Sequence, residues 1–144
     1  MVALFLDGYP VSISVTQKGK PLTDATVSLR SVDPSSTGTW TIGGTTNANG
    51  KVELYTNGYR GAPFGKFKVV LFKQENEGLA AREAAANQGD TAAVQRINVK
   101  IWSCVEARYN NPKQTPLEVE IAADTKTLDL DAGPAVKIEQ AFVP

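Results

Sequence analysis

The chain has 144 residues, 42% hydrophobic and 21% charged, which suits one domain with a buried core and is too apolar for a disordered segment. Fifteen basic residues balance fifteen acidic ones with no long run of either sign, so there is no electrostatic footprint for nucleic acid or an anionic membrane. Histidine is absent and Cys104 is the single cysteine; imidazole bases, Ser-His-Asp and Cys-His arrangements, histidine-held metals and intramolecular disulfides are thereby excluded.

Val2-Ala3-Leu4-Phe5-Leu6 opens the chain. It is too short to span a bilayer and lacks a charged region before it, so it reads as a first strand, or a flanking segment, of a mature chain freed of an export signal, the alternative being the stub of a signal peptide itself. Period-2 alternation follows. Val11, Ile13 and Val15 alternate with Ser12, Ser14 and Thr16, and Val27 and Leu29 with Ser28 and Arg30. Val52 and Leu54 then alternate with Glu53 and Tyr55, and Phe67, Val69 and Leu71 with Lys66 and Lys68. Such runs are strands with one solvated face, the mark of an antiparallel sandwich. Lys18-Gly19-Lys20-Pro21 reads as a tight connection, Asn49-Gly50 as a hairpin turn, and Asn57-Gly58 with Gly61-Ala62-Pro63 as a loop before the Phe67 strand.

Residues 77–96 break the alternation. Ala80, Ala81, Ala84, Ala85, Ala86, Ala92 and Ala93 favour helix, and Asp90 is placed to cap a second short helix beginning near Thr91. From Val94 to Val105 the spacing fits a helix face or a strand, and we read it as a helix handing over to an extended stretch. Asn110-Asn111-Pro112 and Thr115-Pro116 bracket another loop. Alternation then resumes at Leu117, Val119 and Ile121, at Leu128 and Leu130, and at Val136 and Ile138.

Val11 to Thr16, followed by Gly19-Lys20-Pro21-Leu22 and Ala25-Thr26-Val27, resembles carboxypeptidase regulatory-like domains, in particular the stand-alone domains of bacterial envelope lipoproteins. Thr46 to Gly50 and Gly65 to Val69 match that family's turn-and-strand pieces, and Arg108 to Leu117 is similar to its late Tyr-x-x-Pro-x-x-Ser/Thr-Pro-Leu segment. The resemblance covers roughly residues 9 to 131. Ile13 stands where the family commonly has glycine and Glu106 where it has proline; the insertion and the tail beyond Leu130 fall outside the pattern. It implies an all-β, seven-stranded, transthyretin-like (prealbumin-like) antiparallel sandwich of Greek-key, Ig-like form, here with the helical insertion around 77–96, as one domain over 1–144. It also implies a secreted or cell-envelope location, a lipid anchor outside this chain, and no catalytic residues.

Several local patterns suggest chemistry. Tyr59-Arg60-Gly61 is similar to the terminal motif of transthyretin-like hydroxyisourate hydrolases, but here it is internal and lacks their histidines, so it reads as a loop. The tyrosine-and-histidine iron site of intradiol dioxygenases, which share a related sandwich, cannot be built without imidazoles. Thr45 to Gly50 lacks the acids of a calcium loop, and Gly43-Gly44 is a bend or bulge in a strand and not a phosphate cradle. Glu118, Glu120, Asp124, Asp129 and Asp131 sit at spacings that put them on solvated strand faces, which weighs against a hydrolytic pair or metal site. Cys104 reads as a small buried hydrophobe. Among Trp40, Tyr55, Tyr59, Trp102 and Tyr109, Trp40 shares the parity of Ile42 and belongs to the core, whereas Tyr55 shares the polar face of Glu53.

The sequence therefore leads to a non-catalytic module with a structural or accessory binding role, needing no cofactor or metal. Tyr55, Tyr59 and Arg60 form the ligand-binding candidate. The expected partner is a protein or a glycan, the alternative function being a carbohydrate- or small-ligand-binding domain. The terminal segments Val2 to Leu6 and Val136 to Val143 suggest homo-oligomers formed by strand addition.

Overall fold

Where apolar and polar residues alternate, the chain runs as strand with its apolar set turned inward, except at the last expected pair, where Val136 lies outside any strand and Ile138 is exposed. A computed structural model describes residues 10–32 and 41–140; Val2 to Leu6, Tyr9 and Trp40 lie outside them. In chain order the strands are β1 (Ser12–Gln17), β2 (Lys20–Pro21), β3 (Thr26–Ser31), β4 (Ile42–Thr45), β5 (Lys51–Glu53), β6 (Tyr55–Thr56), β7 (Tyr59–Arg60), β8 (Gly65–Phe72) and β9 (Gln74–Glu77). Two helices follow, α1 (Leu79–Asn87) and α2 (Thr91–Arg96), then β10 (Lys100–Ser103), a 3-10 turn at Ala107–Asn110, β11 (Glu118–Ile121), β12 (Thr127–Asp131) and β13 (Ile138–Gln140).

These strands make three sheets: β12-β1-β2 with β5 also on β1, β11-β8-β3-β4-β6-β7, and β13-β10-β9. The first two share one core. Ile13, Val15 and Val52 from the first meet Val27, Leu29, Ile42, Phe67, Val69, Leu71, Val119 and Ile121 from the second in a single buried cluster. The all-β, sandwich-like character expected from alternation is therefore present. The pairing is not wholly antiparallel, because β12 lies parallel to β1, with Ile13 opposite Leu128 and Val15 opposite Leu130.

One segment joins the two layers. Residues 51–56 run as β5 in the first sheet and as β6 in the second, and the change of sheet falls at Leu54, which is fully buried. Its N–H donates to the Val11 carbonyl (2.9 Å) and its own carbonyl accepts the Gly61 N–H (2.8 Å). Asn49-Gly50 does make a turn, with the Gly50 N–H on the Asn47 carbonyl and the Asn47 N–H on the Lys51 carbonyl. That turn connects strands of different sheets, so it is not the hairpin its dipeptide suggests. The hairpin is at Asn57-Gly58, where both residues take positive φ (51° and 88°) and β6 pairs directly with β7.

The Gly43-Gly44 pair has a steric cause. A Cβ at Gly43 would lie 2.1 Å from the Val27 carbonyl oxygen, and one at Gly44 would lie 2.7 Å from Val52 Cγ2 and 2.9 Å from the Glu53 carbonyl oxygen. β4 is thus pressed against β3 on one side and against the crossing segment on the other.

The third sheet and the helices form an arm. β9 and β10 pair antiparallel from Gln74↔Ser103 to Glu77↔Lys100, and the alanine-rich insertion sits at the end of this ribbon. Asp90 caps α2 as expected, its Oδ1 accepting the Ala93 N–H at 3.0 Å. Residues 94–105 pass from helix to extended chain as read from the sequence. The tail departs from expectation: residues 138–140 are not an unpaired strand but lie antiparallel along β10.

Because the carbonyl facing Gly43 belongs to the backbone, it cannot rotate away. Gly43→Ala is expected to cost about 3 kcal/mol or more, the upper end of overpacking penalties, read from urea unfolding. A loss under about 0.5 kcal/mol, the range of ordinary surface substitutions, would show that β3 and β4 part without strain.

Candidate functional site

Strand alternation carries Glu53 and Tyr55 to the same outward side, on either flank of buried Leu54. The β6–β7 hairpin then places Arg60 directly opposite Tyr55. Arg60 Nε donates to Glu53 Oε1 in an ion pair whose side chains are 63% and 36% exposed. A pair so open to water adds little stability; it ties the Arg60 guanidinium to Glu53 on the face that also carries Tyr55, which is 43% exposed.

Tyr59, the third residue expected at this site, is elsewhere. It pairs with Thr56, and neighbouring positions of a strand point to opposite faces, so Tyr59 shares the side of Thr56 and not that of Tyr55 and Arg60. Thr56 is fully buried and donates its hydroxyl to the Gly61 carbonyl at 2.9 Å. Tyr59 is 53% exposed, so the core does not reach it. Asn57 fixes the hairpin from outside: its Oδ1 accepts the Thr41 N–H and its N–H donates to the Thr41 carbonyl, both at 2.9 Å.

Following the registers inward from Arg60 and Tyr55 gives a row across the sheet: Gly43, then Ser28, then Val70. Gly43 has no side chain and Ser28 a small one, so the Tyr55 ring borders a low strip of sheet surface. Val70 closes the strip and is itself buried. Sequence reasoning missed Glu53, Gly43 and Ser28 as parts of this surface. The consecutive glycines inside a strand were the available signal, since glycine there marks close backbone approach.

The other candidates fall out differently. Glu118 and Glu120 lie on the solvated face opposite Lys68 and Lys66, with Nζ to carboxylate distances of 3.1 and 4.0 Å. Asp131 Oδ1 accepts the Gly133 N–H at 2.8 Å. Among the described residues there is no group of three or more Cys, Asp or Glu able to hold a metal ion. Asn47, in the would-be calcium loop, spends its Oδ1 on the N–H groups of Asn49 and Lys51. Tyr109 is buried in the 3-10 turn. Trp102 is half-buried on β10, its ring faced by Lys137 Nζ at 3.9 Å from the centroid.

Cys104 is buried. Burial pushes its thiol pKa up, the nearby Glu75 carboxylate pushes it further, and Lys73 and Lys137 oppose both more weakly. This environment keeps the sulfur protonated, the reverse of what an activated thiol requires.

No family model matches the chain, and no curated protein or solved structure matches it.

The raised thiol pKa has a measurable sign. A folded thiol that holds its proton to higher pH than the unfolded one adds stability that is complete below the ordinary thiol pKa and is lost as pH rises through it and beyond. The urea stability of the wild type minus that of Cys104→Ala should therefore fall between neutral and alkaline pH, and Glu75→Gln should shrink the fall. A difference that stays flat across the range would contradict the assignment.

Proposed function

We propose that this chain is a non-catalytic β-sandwich module of the transthyretin-like, carboxypeptidase regulatory-like kind, with an accessory binding role in the cell envelope or outside the cell. The observation that carries the binding role is the joining of Tyr55, Arg60 and Glu53 on one exposed face, where the chain passes between the two sheets. Binding surfaces built at the edges and loops of a rigid sandwich are common. The family reading is supported by two sheets closing on one core and by the late segment that resembles the family. There Asn110 Nδ2 donates to the Leu71 carbonyl (2.6 Å) and buried Thr115 donates its hydroxyl to the Val69 carbonyl (2.8 Å). The envelope location and lipid anchor rest on the sequence resemblance alone. The protonated, buried state of Cys104 supports a non-catalytic reading.

A glycan is the ligand class this surface favours. The C–H face of a pyranose stacks on an aromatic ring, and its hydroxyls pair with planar polar groups held in fixed orientation. Tyr55 supplies the ring, the Glu53–Arg60 pair supplies the planar groups, and the strip over Gly43 and Ser28 leaves room for a flat ligand. A protein partner that inserts a small loop on the same strip is the second reading, favoured by the neutral charge balance of the chain.

A thermal-shift screen against polysaccharide fragments tests this, because a ligand of the native state alone raises the melting temperature by mass action. One sugar class is expected to shift it, with the shift abolished by Tyr55→Ala, reduced at least about tenfold in affinity by Arg60→Ala, the loss of roughly one charged hydrogen bond, and retained in Tyr59→Ala. Loss in Tyr59→Ala with retention in Tyr55→Ala would place the site on the opposite face. No shift at millimolar sugar would favour the protein partner.

A further inference from the structure

Pairing registers carry the outward face of the second sheet well beyond Tyr55. Beside the row of Tyr55, Gly43, Ser28 and Val70 runs another, two residues along each strand, in which Thr45 stands opposite Thr26 and Thr26 opposite Phe72. Paired residues of a sheet share a face, so Phe72 points to the same side as Tyr55. It is 44% exposed. Among the described residues of this sheet, Tyr55 and Phe72 are the two aromatic side chains on that face. Charged side chains occupy its flank: Lys66 and Lys68 opposite Glu120 and Glu118, and Arg30 across from Lys68. No charged side chain stands between the two rings.

The ground between the rings is low and polar. The path from Tyr55 to Phe72 crosses β4 and β3, where Gly43 has no side chain and Thr45, Ser28 and Thr26 have short ones. The hydroxyls of Thr45, Ser28 and Thr26 make no hydrogen bond among the described residues. Three strand spacings and a two-residue offset put the Tyr55 and Phe72 Cα positions roughly 16 Å apart, the length of about three to four sugar rings. We propose that this face binds a neutral linear oligosaccharide lengthwise, one sugar on Tyr55, another on Phe72, and those between them over the free hydroxyls. The proposal rests on the glycan reading of the Tyr55 surface, with which this path is continuous, and it names the ligand's charge and length. Charge follows from the path: an acidic chain would meet no cation on it, since Arg60 is tied to Glu53 and Arg30 lies on the flank away from Phe72. Length follows from the separation, because a disaccharide reaches one ring and a longer chain engages both. Once one sugar is seated on Tyr55, contact with Phe72 is intramolecular and tightens binding without a second encounter.

Calorimetric titration of the whole chain tests this, using cello-, chito-, xylo- and malto-oligosaccharides from dimers to hexamers, with oligogalacturonides as the charged comparison. Within one neutral series the affinity is expected to rise about tenfold from dimer to tetramer and then level, a gain on the scale of one added aromatic contact. Phe72→Ala should abolish that rise, so that a hexamer binds no better than a dimer, whereas Tyr55→Ala should weaken every length. Thr26→Arg lays a long side chain across the path with both rings intact and should also abolish the rise; it carries the same test should Phe72→Ala not fold. Equal affinity for dimer and hexamer, or a rise that survives Phe72→Ala or Thr26→Arg, would overturn this proposal and leave the Tyr55 reading standing. Tighter binding of oligogalacturonides than of every neutral series would overturn the neutral ligand. Failure of every oligosaccharide to bind would overturn both readings.

Discussion

At Leu54 the backbone belongs to both sheets at once. Its N–H is given to Val11, beside β1, and its carbonyl receives the Gly61 N–H, beyond the β6–β7 hairpin. With no water at a fully buried position, both groups need protein partners, and an unpaired one would cost about 1–3 kcal/mol. The requirement fixes where the first sheet stops, where the second begins, and how closely β4 must pass. The two glycines of β4 answer that last demand, since each faces backbone or side chain where a Cβ would stand.

The candidate site is a by-product of the same crossing. A strand that changes sheets without losing its alternation keeps Glu53 and Tyr55 pointing outward on either side of the joint, so residues from two sheets become neighbours. The tight Asn57-Gly58 turn then folds Arg60 back onto them. The backbone beneath this surface is held by main-chain pairing, so its strands are fixed in place without a ligand.

Much of the fold was legible. Alternation identified β1, β3, β8, β11 and β12, because a half-buried strand must alternate, and alanine density with Asp90 identified the helical insertion. What stayed hidden was pairing. Periodicity says that residues 11–15 form a strand but not that β12 will lie parallel to it, and Asn49-Gly50 announces a turn without saying whether the strands it joins share a sheet. The site was legible to the same extent. Tyr55 could be placed outward from its parity with Glu53, and Arg60 was singled out with it. The side taken by Tyr59 depends on the hairpin register, which one residue of slip would invert. The charged ladder of Lys66, Lys68, Glu118 and Glu120 was readable as a solvated face, but not that the two pairs stand cross-strand.

The parallel partnership of β1 and β12 bears on how the molecule comes to be folded at all. Contacts such as Thr16 Oγ1 with the Leu130 carbonyl join positions 114 residues apart, and loop closure over that span must precede any gain from pairing. During synthesis, β1 has β2 and β5 available on its antiparallel edge early, while its other edge waits until residues 127–131 have left the ribosome. Until then Leu128 and Leu130 are missing from the core and one side of β1 is unclosed. Between the emergence of β5 and that of β12 a nascent chain thus carries a half-built first sheet, the interval in which a chaperone or a neighbouring chain has most opportunity to engage it.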